Sequence, residues 1–177
     1  MTMTRVVAAL ALSLALGSPA AADVVDAGAT GFEVKVGADV NAAPDAVFRL
    51  ITEVGRWWAS SHTFSGNAAN LSIEPRVGGC WCETLPNGGV QHMVVTYIDR
   101  PKGLILHGGL GPLASMGVAG ALEFSLADKG GHTQLDVVYS VGGYRKGGFA
   151  GLATAVDGVI TSQVKRLKAL AETGRPE

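Results

Sequence analysis

The sequence predicts an α+β fold in which a curved antiparallel sheet of about six to seven strands wraps around one long C-terminal helix. Two short helices are expected after the first strand. Three observations carry this reading. Short runs of largely alternating apolar and polar residues recur from Leu71 to Val141, which is the pattern of half-buried strands. Clusters of turn-forming residues (EPRVGG, LPNGG, DRPK, GGLGPL, DKGGH) separate those runs and argue for consecutive hairpins. From about Phe149 to Glu172 the period then changes. Leu152, Val156, Val159, Ile160, Leu167 and Leu170 fall on one side, with Thr154, Thr161, Lys165 and Lys168 on the other, as in an amphipathic helix.

The elements follow in order. MTMTR is a short positive segment, Val6–Leu16 is apolar, and Ala20 and Ala22 offer small residues at cleavage positions. Residues 1–22 therefore read as a secretory signal peptide cut before Asp23. Its apolar run is too short to span a bilayer, and no later segment is apolar enough to do so. No cysteine lies near the cleavage point, which argues against a lipid anchor. A periplasmic or secreted protein is expected, with one domain over residues 31–172. Within that domain Phe32, Val34 and Val36 alternate with Glu33 and Lys35 as a first strand. Asn41 and Pro44 suit the start of a helix whose apolar face is Val47, Leu50, Ile51 and Val54. GRWWASSHTFSGN reads as a second short helix or a turn. LSIEP, GCWCETL, VQHMVVTYID, GLILHG, GALEFSLA and TQLDVVYSV supply the remaining strands.

Composition narrows the function classes. The 177 residues carry 14 Lys and Arg against 15 Asp and Glu, and loss of Arg5 with the signal peptide takes the formal charge from −1 to −2. No basic block appears, which argues against nucleic acid and against attraction to an anionic membrane surface. His107–Gly120 is glycine-rich but has no lysine and no phosphate-loop spacing, so no nucleotide is expected; it reads as a flexible connection or lid. Arg145 and Lys146 stand near the start of the last helix, where a solvated loop or an anion contact would both fit. Cys80 and Cys82 lie at i and i+2, with Cα atoms roughly 6.5 Å apart in a regular strand. That is near the upper limit for a disulfide. Two reduced or buried thiols are the expectation, with a strained or intermolecular disulfide and metal ligation as the alternatives.

The run APDAVFRLITEVGRWW, followed by LSIEPRVGG with Trp81 and Glu83 and by a late GHTQL strand before the last helix, resembles the START-like (SRPBCC) superfamily. Its members include the birch pollen allergen family, polyketide cyclases and the activator of heat-shock-protein-90 ATPase. The pattern P-x-x-V-F, W-W, G-G-x-W-x-E is most similar to the activator and polyketide cyclase-like branch. What the resemblance implies is a helix-grip fold with a hydrophobic ligand cavity between sheet and helix. The superfamily hosts carriers, enzymes and partner-binding modules, so function has to come from the site.

Candidate site residues cluster in the stretch GGCWCETLPNGGVQHMVV. Asn87-Gly88 is a favoured pair in tight hairpins. A loop closing there would set Leu85 opposite Val90, Glu83 opposite His92 and Trp81 opposite Val94, all on one face, with His107 near Val94. Three readings of the Glu83–His92 pair remain open. It is an exposed cross-strand contact, a polar patch orienting a ligand inside an apolar cavity, or an acid–base pair in which Glu83 fixes the tautomer of His92. Trp81, Val94 and Ile98 on the same face favour an inward one. His62, Glu83, His92 and His107 supply the ligand types of a two-histidine, one-carboxylate metal set. They lie on different elements without metal-site spacing, so no metal and no cofactor is expected. Trp57, Trp58, His62 and Phe64 are expected near one end of the sheet, as core and capping residues or as walls of the cavity mouth. Phe124 and Tyr139 fall on late strands as core or cavity lining, and Tyr144 just beyond. The leading expectation is a binder of a small hydrophobic or amphipathic ligand such as a lipid, isoprenoid or polyketide-like compound. A cyclase or dehydratase using His92 with Glu83 is the alternative, and a co-chaperone-like partner module a third.

Overall fold

Hairpin follows hairpin through most of this chain, and the long last helix crosses the hollow they make. The computed structural model describes residues 21–177; the expected signal peptide, apart from its last two positions, lies outside the described residues. Strands β1 (Ala21–Ala27) and β2 (Gly31–Val40) precede helix α1 (Pro44–Thr52). Then come β3 (Leu71–Ile73), β4 (Cys80–Leu85), β5 (Gly88–Asp99), β6 (Gly103–Gly108), β7 (Gly117–Asp128), β8 (Thr133–Tyr144) and helix α2 (Ala150–Thr173). All neighbours are antiparallel, and the eight strands form one curved open sheet in the order β1-β2-β8-β7-β6-β5-β4-β3. The expected α+β helix-grip architecture is present, with a longer sheet than the sequence indicates. The additional strand is β1, whose residues AADVVDA alternate poorly and abut the expected cleavage point.

Helix α1 begins where proline can begin one. Pro44 takes the first turn, where its missing N–H is no loss, and Asp45 adds negative charge beside it. Val47, Phe48, Leu50 and Ile51 are buried. Instead of a second α-helix, residues 54–70 form short 3-10 turns at Val54–Arg56, Ser60–His62 and Ala68–Asn70. Side chains here compete for the backbone. Trp57 Nε1 donates to the Leu50 carbonyl at 2.8 Å and Trp58 Nε1 to the His62 carbonyl at 3.0 Å. These bonds fix both indoles at the end of α1.

Helix α2 packs unevenly. In its C-terminal half Val164, Leu167 and Leu170 are buried in the core. In its N-terminal half Leu152, Val156 and Val159 are only half-buried, because the sheet curves away beneath them. The helix stops at Gly174, which takes a left-handed φ of 78° and donates its N–H to the Leu170 carbonyl. Among the described residues no helix is long and apolar enough to cross a membrane.

Candidate functional site

The gap under the first turns of α2 is a cavity of about 360 Å³, within the size range of small-molecule sites. Leu152, Val156, Val159 and Ile160 roof it, and Tyr139 of β8 stands on the sheet side. Leu110, Pro112 and Leu113, from the 3-10 turn between β6 and β7, close one flank; Trp58, His62 and Phe64 close the other. The walls are mainly apolar. Phe64 is 55% exposed and marks the entrance.

The deep end is built by the β4–β5 hairpin, whose turn differs from expectation. The loop is Pro86-Asn87, with Leu85 paired to Gly88. Among the described residues no non-glycine residue has positive φ, so Asn87 is not in the left-handed conformation that an Asn-Gly hairpin turn uses. Pro86, with its fixed negative φ, takes the first central position instead. The register moves by two residues, which preserves the face of Glu83 but sets it opposite Val90. A β-bulge then places His92 as an extra residue between the pairs Cys82–Gln91 and Trp81–Met93. Both His92 and Met93 consequently turn inward and are buried.

The hairpin departs from three sequence expectations. Glu83 and His92 meet diagonally rather than directly across the ladder. Val94, expected opposite Trp81, pairs with Cys80 and His107 on the outer face, so neither Val94 nor His107 joins the inward cluster. Cys80 and Cys82, expected as thiols, form a disulfide on that outer face, their Cα atoms drawn to 5.3 Å. That is shorter than the roughly 6.5 Å of a regular strand and inside the range that a disulfide spans. Gly108 is required by the bulge. At φ 152° its Cα lies so close to the His92 carbonyl and Met93 Cα that a Cβ would collide with both.

Glu83 and His92 are 1% and 5% exposed, with Oε2 and Nε2 3.0 Å apart. Glu83 also accepts from the Phe64 amide at 3.1 Å and from the Ser65 amide. Burial pushes its carboxyl up, but the hydrogen bonds from the Ser65 side chain and amide, the Phe64 amide and His92 together outweigh that and hold it below its ordinary value. Glu83 is thus a buried carboxylate that anchors the entrance loop to the sheet while orienting His92. A second tie comes from α2. Buried Gln163 accepts from the Ala59 amide at 2.8 Å, and its Nε2 donates to His62 Nδ1 at 3.1 Å. The opposite flank is pinned by Tyr139, whose phenol oxygen accepts from the Leu110 amide at 3.3 Å. Burial pushes the Tyr139 phenol up to about 12 despite that bond.

The expected site residues therefore divide. Trp58, His62, Phe64 and Tyr139 line the large cavity, and Trp81 and His92 line a small adjoining pocket at its deep end. Glu83 stands behind His92. Trp57 is buried against Trp58, ring centroids 5.5 Å apart, and Phe124 is buried in the core between Leu104 and Val137. Tyr144 is 79% exposed and does not reach the cavity lining. Arg145 donates to the Gly148 carbonyl within its own loop. Among the described residues no three His, Cys, Asp or Glu side chains are grouped to hold a metal ion. Sequence reasoning passed over Gln163 and Ser65. Gln163 had a signal, since it falls on the apolar stripe of α2 between Ile160 and Leu167; Ser65 had none.

No protein-family model and no curated protein sequence matches the chain. Solved structures do resemble it. A conserved protein of unknown function, EF2215 from Enterococcus faecalis, aligns at TM-score 0.61 and 18% identity over 88% of this chain and 78% of that one. CalU16 from Micromonospora echinospora aligns at TM-score 0.57 and 14% identity over 89% and 85%. The Aha1 dimer of Colwellia psychrerythraea aligns at TM-score 0.56 and 18% identity over 80% and 97%. At these identities the likeness is one of fold. The chain shares with them the helix-grip fold that the sequence resemblance implies.

Proposed function

We propose that this chain is an exported binding protein that holds a small hydrophobic or amphipathic molecule, of lipid, isoprenoid or polyketide-like chemistry, between the sheet and α2. The observation that carries the reading is the cavity of about 360 Å³ under Leu152, Val156 and Val159. A helix with no ligand to accommodate would lower its free energy by packing those side chains as tightly as Leu167 and Leu170, since apolar burial contributes about 25 cal/mol per Å². Export is supported by the signal-peptide pattern of residues 1–22 and by the Cys80–Cys82 disulfide, a bond that persists in oxidising compartments. Native mass spectrometry of protein recovered from its own host tests both parts. The expected result is a mature chain beginning at Asp23 that carries a non-covalent small-molecule mass. An unprocessed chain would overturn the export, and repeated recovery without ligand, together with failure to bind added amphiphiles, would overturn the binding function.

One observation favours a second reading. His92 is buried, oriented through Nε2 by a carboxylate, and directed toward the deep end of the cavity, which is the arrangement of a general acid–base pair. On this reading the protein is a cyclase or dehydratase acting on the same class of molecule. His92→Gln distinguishes the two, because it abolishes turnover in an enzyme and only weakens affinity in a carrier.

A further inference from the structure

We infer that the deep end of the cavity is a receptor for a hydroxyl group, so that the favoured ligand is an amphipathic alcohol rather than a carboxylate or a hydrocarbon. The inference rests on the proposed binding function of the cavity and specifies the polar end of what it binds. A pocket of about 10 Å³, bounded by Trp58, His62, Leu71, Trp81, His92, Leu110 and Gly111, adjoins the large cavity. It shares Trp58, His62, Leu110 and Gly111 with the cavity lining. Its size suits a single oxygen atom.

Two of the side chains that line it each carry a buried polar atom without a hydrogen-bond partner among the described residues: Trp81 Nε1 and His92 Nδ1. The contrast within the chain is informative. Trp57 and Trp58 both donate to backbone carbonyls, whereas the indole N–H of Trp81, in a side chain 1% exposed, has no such acceptor. Leaving a buried donor unmet costs about 1–3 kcal/mol, so the position is expensive unless something occupies it.

The chemistry of the pair selects the occupant. Glu83 is a carboxylate and can only accept, so the proton of His92 sits on Nε2, facing Glu83 Oε2 at 3.0 Å. In the neutral ring Nδ1 then offers a lone pair. Trp81 offers a donor and no acceptor. One donor and one acceptor, on rings whose centroids are 6.3 Å apart and which both line a space for one oxygen, complement a hydroxyl, which accepts from the indole and donates to the imidazole. A carboxylate would accept from Trp81 but set its charge against the Nδ1 lone pair. An ether would accept from Trp81 and have nothing to donate.

The test compares three eight-carbon probes on the full chain by titration calorimetry at neutral pH: 1-octanol, its isomer 1-methoxyheptane, and octanoate. Octanol is expected to bind about tenfold more tightly than the ether, the effect of one good hydrogen bond, with octanoate weakest. His92→Gln keeps an N–H for Glu83 but moves the acceptor off the Nδ1 position; it should abolish octanol's advantage over the ether. Trp81→Phe should weaken octanol and ether together. A cooperative urea transition certifies the fold of each variant; were either not to fold, the octanol-to-ether ratio in the parent protein decides alone. Equal affinity for the isomers, or preference for octanoate, overturns the hydroxyl receptor while leaving the apolar cavity as a binding site. No binding of any probe overturns the cavity reading, and this inference with it.

Discussion

Glu83 Oε2 lies 3.0 Å from His92 Nε2, and the same carboxylate receives the amides of Phe64 and Ser65. One buried charge thus joins the sheet, the bulged histidine and the entrance loop. In Glu83→Gln the side-chain amide brings N–H groups toward a cluster that needs acceptors. The expected loss is roughly 2–3 kcal/mol of stability, since hydrogen bonds to charged groups are stronger than neutral ones and a mismatch leaves partners unmet. Amide exchange at Phe64 and Ser65 should accelerate with it. The pH dependence has a definite sign. The carboxyl is held below its ordinary 4.5 in the folded protein, so its contribution is complete above that value and lost as pH falls through the folded one. Urea titrations of the parent and the variant should therefore differ at neutral pH and converge in acid.

Tyr139 gives the opposite dependence. Its phenol is pushed by burial from 10.0 to about 12, so the folded state holds that proton more tightly than the unfolded chain. Stability from this source is complete below about pH 10 and lost as pH rises toward about 12. Tyr139→Phe, which has no proton to lose, should show a shallower alkaline decline. Ultraviolet difference titration should place the tyrosinate missing from the variant near pH 12; its appearance with the earliest ionising tyrosine would contradict the burial described.

The two halves of α2 should respond to substitution in opposite ways. Leu167 is fully buried, so Leu167→Ala is expected to cost about 2–5 kcal/mol, transfer and cavity terms together. Val156 faces open volume, so Val156→Phe should change stability by less than about 1 kcal/mol while reducing amphiphile binding at least tenfold. Denaturant unfolding beside probe titration reads both. A large destabilisation from Val156→Phe would mean that the space cannot accept a ring.

Gln163 holds the entrance from the helix side through Ala59 and His62. Gln163→Met keeps the bulk and removes both bonds, leaving the Ala59 amide unmet, for an expected cost of about 1–3 kcal/mol. Hydrogen exchange should rise over residues 59–65 and stay unchanged at Leu167 and Leu170. A rise spread evenly along α2 would show that Gln163 supports the helix rather than the entrance.

The elements set by long periodic patterns were legible in the sequence, and those set by single residues were not. The span of α2 and the alternation of Phe32, Val34 and Val36 were readable because many residues repeat one period. The bulge at His92 was hidden because Met93, Val94 and Val95 are all apolar, so assigning them to either face looks equally hydrophobic. One extra residue reverses the parity of a strand, which is why Val94 and His107 were expected inside. The Glu83–His92 contact survived because the two-residue register error preserves the face and a diagonal neighbour remains in reach. The cavity was expected from the helix-grip arrangement of the elements and from the resemblance, but its size was not, since pattern alone does not say how closely a helix approaches a sheet.

The disulfide concerns the same hairpin from its outer side. Cys80 and Cys82 flank Trp81, with Cα atoms 5.3 Å apart, directly across from the bulge that turns His92 and Met93 inward. The bridge therefore fixes the backbone of β4 at the residue whose indole borders the deep pocket. Because the closed loop is so short, loop entropy contributes only about 1–2 kcal/mol, so the paired change Cys80→Ser with Cys82→Ser should leave the protein folded. Its effect should be local. Without the bridge β4 can relax toward the longer rise of a regular strand, about 3.4 Å per residue, which draws Trp81 and Met93 out of register. Hydrogen exchange should rise at Trp81–Glu83 and Gln91–Met93 while β2, β8 and the C-terminal half of α2 keep the protection of the parent. Probe affinity should fall with that exchange in the variant and in the reduced parent, and recover in the parent when the bond is re-formed. Wild-type affinity in the reduced protein would show that the bulge and the packing of Trp81 against Trp58, with ring centroids 5.1 Å apart, hold the indole in place without it.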